Sequence, residues 1–376
     1  MTISRRKFAQ LLGAGAAAAV ARPALTLAAP GSTQAVSSGV LRLSSNENPS
    51  GPSAKALRAM SAAFDQACRY PDEAVDSLAE SLAQSHGVDR ASILLGAGSG
   101  EILKLCADIY TGPLTNEKEA KPGGALVLAD PTFEAILYHA KENGAEIVKV
   151  PLTADFAHDL PKMQAAAKKG LIYVCNPNNP TASISPKNEV RALIEKTPAD
   201  TTILVDEAYY HYVESSDYES AIPLVKEHPN LIVTRTFSKI YGMAGLRCGY
   251  CVAQSYKIEQ LRARQAWDSS NVMALVAARA GLEDPEQVAN GRRLNLATRT
   301  FFVGELKKMG YETIPSQANF VMIDTKRPVV PLIATFKQRK VQVGRLFRAL
   351  PNHLRVTVGK KSEMEAFLAA FREVMS

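Results

Sequence analysis

The chain has 376 residues, 46% hydrophobic and 22% charged, which suits a large enzyme of two or three domains and makes disulfide staples unnecessary. The formal charge of +7 would fit a nucleic-acid or anionic-membrane partner, but residues 1–46 carry Arg5, Arg6, Lys7, Arg22 and Arg42 and no acid. Without the first four of these the balance is +3, and the body has no basic run interleaved with aromatics, so no nucleic-acid partner is expected.

In chain order, residues 4–8 read SRRKF, 9–21 form an Ala/Leu/Gly run, and small residues follow around Leu27, Ala28 and Ala29. A basic start, a short apolar run and a small-residue end make a signal peptide. Adjacent Arg5 and Arg6 followed by Phe8 resemble the twin-arginine export signal. The run is too short and too rich in alanine for a stable membrane span. The expectation is a removable segment over 1–29, cut after Ala28 because Pro30 would block a cut after Ala29. The mature protein would then be periplasmic or exported, carried in folded form.

From residue 78 onward helix-like and strand-like segments alternate. Short continuous apolar runs at 93–95, 125–129, 147–150, 171–175, 203–205, 231–234 and 249–253 predict strands buried on both faces. Helical stretches such as 101–110, 133–142 and 185–196 lie between them. This is the pattern of an α/β protein with a large doubly wound, mainly parallel sheet domain over 71–280. After about residue 280 the texture changes to a long helical stretch (285–309), strand-like 320–323 and 354–358, and an amphipathic helix over 362–374. That reads as a smaller α+β domain over 281–376, joined by residues 40–70. Five cysteines are scattered through the chain, and Cys248 and Cys251 form a lone CxxC with no second pair and no His cluster. Flanking an apolar run, they read as buried structural thiols, and no metal centre is expected.

The chemistry sits at strand ends. NPNNPTA (176–182), DEAYY (206–210) and RTFSKIYGMAGLRCGY (235–250) each follow an apolar strand directly. Ligands in open α/β sheets lie beyond the carboxyl ends of the strands, so all three converge on one crevice. GAGSGE (96–101) lies between a strand and a helix, where amides at a helix start form an anion site and small residues permit close approach. Taken singly, each feature has a plainer meaning. Lys239 could be a solvated surface lysine, Asp206 a helix N-cap, NPNNP a turn, GAGSGE a helix cap, Phe133 core packing and Arg355 a surface arginine.

Several separated motifs in this order resemble the fold-type I pyridoxal-phosphate (PLP) aminotransferases, and within them the histidinol-phosphate aminotransferase-like group, from about residue 41 to the C-terminus. The resemblance implies the aspartate aminotransferase-like fold and PLP as cofactor. Lys239 matches the lysine that holds PLP as an imine and then moves a proton on the substrate, and Asp206 matches the partner of the ring nitrogen. Asn179 and Tyr209 match the pair at the phenolic oxygen, and Phe133 matches the aromatic stacked on the ring. Lys239, Asp206 and Tyr209 are thus the implied catalytic set. Ser99, Gly100, Thr236, Ser238 and Arg247 are implied at the phosphate. Tyr70, in RYPD, matches a tyrosine that reaches the phosphate of a neighbouring subunit, which implies a homodimer with shared sites. Arg355, in HLRVTVG, matches the arginine that grips the substrate α-carboxylate as a fork, with Asn48 and Arg345 also implied at the substrate.

The sequence departs from the group's pattern in three places, one being Gly100, where the group usually carries an acidic residue after GS. NPTG is NPTA here, so Ala182 is expected at negative φ unless strain is tolerated. The group's phosphate-binding arginine stands in a V-R-D-like context, whereas this chain reads VQVGRLFRALPNHLRVTVG, with Arg345 and Arg348 displaced from it. The expected reaction moves an amino group between an amino acid (or histidinol phosphate) and a 2-oxo acid such as 2-oxoglutarate. A PLP decarboxylase or β-lyase shares nearly all of these motifs, and a non-catalytic PLP- or amino-acid-binding module is a third reading. A nicotinamide dehydrogenase would need GxGxxG, which GAGSGE is not.

Overall fold

A computed structural model describes residues 39–112, 124–167 and 169–376; the signal segment read over 1–29 lies outside the described residues. Strands β2 (Ile93–Gly96), β3 (Ala125–Asp130), β4 (Ile147–Pro151), β5 (Gly170–Cys175), β6 (Thr201–Asp206), β7 (Leu231–Thr236) and β8 (Gly249–Ala253) form one sheet in the order β2-β8-β7-β6-β5-β3-β4. Only β8 runs against its neighbours. The fold is α/β with a mainly parallel sheet.

The near-continuous apolar runs are explained by burial on both sheet faces. Every residue of β5, β6 and β7 is buried. Their side chains alternate between two cores: Ile172, Val174, Ile203, Val205 and Val233 enter one, and Leu171, Tyr173, Leu204 and Ile232 enter the other. Each such aliphatic side chain contributes roughly 1.5–3 kcal/mol by leaving water, so charge enters these strands only near their ends, as Asp206 closing β6 and Arg235, paired with Glu207, next to last in β7. Register then sets where the charges come. Cys175 pairs with Asp206 and Asp206 with Thr234, so the NPNNPTA, DEAYY and TFSK segments leave the sheet side by side. Because β8 is reversed, Gly249 at its start lies opposite both Thr236 and Gly96, which brings GAGSGE to the same edge.

A second, three-stranded antiparallel sheet has the order β12-β10-β9, made of β9 (Thr313–Ile314), β10 (Phe320–Asp324) and β12 (His353–Thr357). Its core draws Phe302 and Leu306 from helix Pro285–Lys308, Phe336 from helix Val329–Gln338, and Met364, Phe367, Leu368 and Phe371 from helix Lys361–Met375. The last set is spaced as one helical face requires, and the Phe336 and Phe367 rings stack at 5.5 Å. Near the chain start, β1 (Leu41–Arg42) pairs in parallel with β11 (Val341–Gln342), and Leu43 enters this same core. That pairing fixes residues 44–47 beside the ends of β6 and β7.

Two details correct or settle smaller expectations. Ala182 has φ +60, not a negative value. The turn over NPNNPTA closes with the Ala182 amide donating to the Asn178 carbonyl at 2.8 Å and the Asn178 amide donating to the Ser183 carbonyl at 2.8 Å. The turn therefore imposes left-handed backbone on a residue with a Cβ, at a cost of about 1–2 kcal/mol. Cys248 and Cys251 are buried free thiols whose pKa values burial pushes up to about 12, as expected of structural cysteines.

Candidate active site

The strand ends meet in a pocket of about 310 Å³ that also takes in residues from the chain start and from the 345–355 region. Lys239 is the first polar residue with a flexible stem beyond β7. Its Nζ donates to the carbonyls of Asn46 (3.2 Å) and Ser45 (3.4 Å) and lies 5.5 Å from the centre of the Tyr209 ring. Burial, aided by the Arg355 guanidinium, lowers its pKa to about 8, so a sizeable neutral fraction exists near neutral pH. Asp206 ends β6 as a buried carboxylate that accepts from the Tyr173 hydroxyl (2.9 Å) and the Ala208 amide (3.1 Å). Burial raises its pKa to about 6 against the pull of those donors and of Lys239.

The Tyr209 hydroxyl accepts from Asn46 Nδ2 at 3.0 Å and from Asn179 Nδ2 at 3.4 Å, and burial raises its pKa. Asn179 Oδ1 in turn accepts from Arg355 Nη1 at 2.6 Å, while Arg355 Nη2 donates to the Ser44 carbonyl at 2.7 Å. Burial lowers the Arg355 pKa to about 10, and its buried Nε has no hydrogen-bond partner. A buried, half-used guanidinium is costly unless something anionic completes it.

The opposite end is built for an anion. Helix Ser99–Tyr110 starts at Gly98, which has φ +81 and provides no side-chain cap, so its first amides are offered to the pocket. A Cβ on Gly98 would fall 2.3 Å from Arg247 Nη2, and one on Gly249 would fall 2.4 Å from the Ser99 nitrogen. Those two glycines let guanidinium and helix start close on one spot. Arg247 Nη1 donates to Ser238 Oγ (3.3 Å) and to the Ala244 carbonyl (2.9 Å), and Thr236 Oγ1 accepts from the Ser238 amide (3.1 Å). The Glu101 carboxylate fixes the loop by accepting from the Ala97 amide (2.7 Å) and Ser269 Oγ (2.8 Å).

Of the residues singled out from sequence, Ser99, Gly100, Thr236, Ser238, Lys239 and Arg247 line this pocket, as do Phe133, Asn179, Asp206, Tyr209, Arg345 and Arg355. Two are elsewhere. Asn48 donates its side-chain amide to the Ile240 carbonyl at 2.8 Å and lines a different hollow. Tyr70 is 79% exposed and does not line this pocket. Asn46 and Phe347 line it without having been read from sequence. Asn46 (φ +54) takes its place because Thr357 Oγ1 accepts from its amide at 2.9 Å and its carbonyl accepts from Asn319 Nδ2 at 3.0 Å. That contact spans 311 residues and leaves no local pattern.

A phosphate site, a buried carboxylate, a depressed lysine and an unspent guanidinium in one pocket form a donor set that fits PLP and an amino-acid carboxylate. Comparison with known proteins agrees. The family "Aminotransferase class I and II" matches residues 38–371. A histidinol-phosphate aminotransferase of Moorella thermoacetica is 36% identical over 342 residues, covering 90% of this chain and 86% of the relative. One from Symbiobacterium thermophilum is 37% identical over 339 residues, covering 89% and 91%. The crystal structure of histidinol-phosphate aminotransferase from Sinorhizobium meliloti in complex with pyridoxal-5'-phosphate superposes with a TM-score of 0.80 at 26% identity, covering 89% of this chain and 91% of that one.

Proposed function

Because this chain belongs to the class I and II aminotransferases, we propose that it moves the amino group of an amino acid, or of histidinol phosphate, to a 2-oxo acid such as 2-oxoglutarate. It is a PLP-dependent transaminase. The observation that carries the substrate reading is the convergence of Lys239, Asp206 and the unspent Arg355 on one pocket.

When bound, PLP supplies an electron-withdrawing ring that stabilises charge at the carbon losing its proton. Arg247, the hydroxyls of Thr236 and Ser238 and the amides of Ser99 and Gly100 would hold its phosphate. Asp206 would face the ring nitrogen, where a buried carboxylate keeps a proton in place. Tyr209 and Asn179 would meet the phenolic oxygen, and Phe133 would cover the ring. Lys239 would tether the cofactor, then take and return a proton as a free amine, a task suited to a base that titrates near 8. Arg355 lines the pocket and would grip the α-carboxylate with guanidinium N–H groups beyond the two that Asn179 and Ser44 accept.

A homodimer completes the proposal, with Tyr70 serving the neighbouring subunit's phosphate; its exposure and its absence from the lining of its own pocket support this. The division into a large domain (71–280) and a small one (40–70 with 281–376) is supported by the separate core around Phe302, Phe336 and Phe367. Export by the twin-arginine route rests on Arg5, Arg6, Phe8 and the apolar run that follows. The substrate reading is tested by giving the cofactor-loaded protein histidinol phosphate, aromatic and acidic amino acids, each with 2-oxoglutarate. Glutamate should form in step with loss of at least one donor. Glutamate from none of them would refute 2-oxoglutarate as acceptor, and no transfer to any other 2-oxo acid would refute the reading.

A further inference from the structure

At the substrate end Arg345 lines the pocket and is ion-paired to Glu134, a pair that the roles above leave unused. Glu134 follows Phe133 directly and occupies the cap position of helix Ala135–Glu142, where the helix dipole favours a negative charge. Its carboxylate accepts from Arg345 Nη2, and Arg345 Nη1 is spent on the Leu346 carbonyl at 3.0 Å. The Arg345 guanidinium carbon lies 4.5 Å from the centre of the Phe347 ring, and that of Arg355 lies 5.2 Å from the same centre. One aromatic ring thus serves two cations. Arg355 has no carboxylate partner among the described residues, whereas Arg345 is neutralised. The backbone dictates which residue brings the second cation. A Cβ on Gly344 would fall 2.8 Å from both the Cβ and the carbonyl oxygen of Arg355, so position 344 stays bare and Arg345, one residue on, lines the pocket.

We propose that Glu134 is a specificity-determining residue. By holding Arg345 it presents a neutral rim to the substrate side chain, which favours uncharged aromatic side chains against Phe133 and Phe347 and lets an anionic one, such as that of 2-oxoglutarate, bind more weakly than a free Arg345 would allow. This deepens the transaminase reading and rests on it for the place of the α-carboxylate at Arg355. Glu134 acts through Arg345, as a positioning residue. The pair is partly exposed, with side chains 55% and 28% accessible for Arg345 and Glu134. Pairs of that kind are opened easily, and releasing Arg345 should strengthen binding of an anionic group about fivefold.

The test needs no turnover. Calorimetry on the cofactor-loaded enzyme gives Kd for two unreactive carboxylates that share the group Arg355 would hold and differ at the far end: glutarate and 3-phenylpropionate. Wild type should prefer 3-phenylpropionate. In Glu134→Gln the ratio of the two Kd values should shift toward glutarate by about fivefold, and in the double variant Glu134→Gln/Arg345→Gln that shift should vanish. An unchanged ratio in Glu134→Gln would overturn the proposal, as would an equal shift between Arg345→Gln and the double variant, because Glu134 would then act without Arg345. If the wild type transferred no amine, the substrate reading would fall while these Kd values still stood as evidence on Glu134 and Arg345.

Discussion

The two ends of the pocket are built on different principles. The lysine and anion end is assembled from strand termini that the register of one sheet forces together: Asp206 beside Cys175 and Thr234, Gly249 beside Thr236 and Gly96. The substrate end is assembled from four distant segments: Asn46 is tied to Thr357, Arg355 to Asn179 and Ser44, and Arg345 to Glu134. Rigid strands position chemistry that must be exact, whereas loops and a second sheet position groups that vary with the substrate. Changes at the first end should therefore abolish the reaction, and changes at the second should retune it.

The largest effect expected is at the first end. Lys239→Ala should lower kcat by about 10³-fold or more, because the proton carrier is lost. Stopped-flow and steady-state rates, with circular dichroism to confirm folding, check this; a loss under tenfold would mean that another group moves the proton. Next, Arg355→Lys at the second end keeps the charge but loses the fork. The substrate KM should rise roughly 30-fold, about 2 kcal/mol, with a smaller change in kcat. An equal fall in kcat alone would place Arg355 at the lysine end instead.

Burial raises the Asp206 pKa from 3.8 to about 6, so between those values the native cofactor-free protein binds a proton that the unfolded chain does not. Asp206's contribution to stability should therefore fall as pH rises through this window. Denaturant titrations of wild type and Asp206→Asn across pH 4 to 7 should show that fall only in the wild type. The smallest effect is local. Ala182→Gly should stabilise the protein by about 1 kcal/mol by relieving the φ +60 strain; destabilisation would show that the buried methyl contributes more than the strain costs.

Legibility in the sequence follows the same division. Strands buried on both faces appear as apolar runs, so 125–129 and 171–175 differ from Ala125–Asp130 and Gly170–Cys175 by a single residue each. Helices read slightly long at their starts: 185–196 shortens to Lys187–Lys196 because Pro186 caps it, and 133–142 shortens to Ala135–Glu142 because Glu134 does. The two-residue strands β1, β9 and β11 are too short to show any period. In the site, residues within strand-end motifs were legible. Asn46 was not, because Thr357 and Asn319, 311 and 273 residues away, hold it in place; nor was Phe347, which packs with Ile314 and Met322 in a small core of its own. Asn48 lies close by in sequence, yet its amide is already satisfied by Ile240.

The most direct test of the central claim, that Lys239 and its neighbours carry out amine transfer, is a single turnover without acceptor. Cofactor-loaded enzyme is mixed with one donor, and the cofactor spectrum and the products are followed together. The visible band should give way to that of the aminated cofactor, with one 2-oxo product formed per site. Release of carbon dioxide with the visible band restored and no 2-oxo product would contradict it and assign the site to decarboxylation.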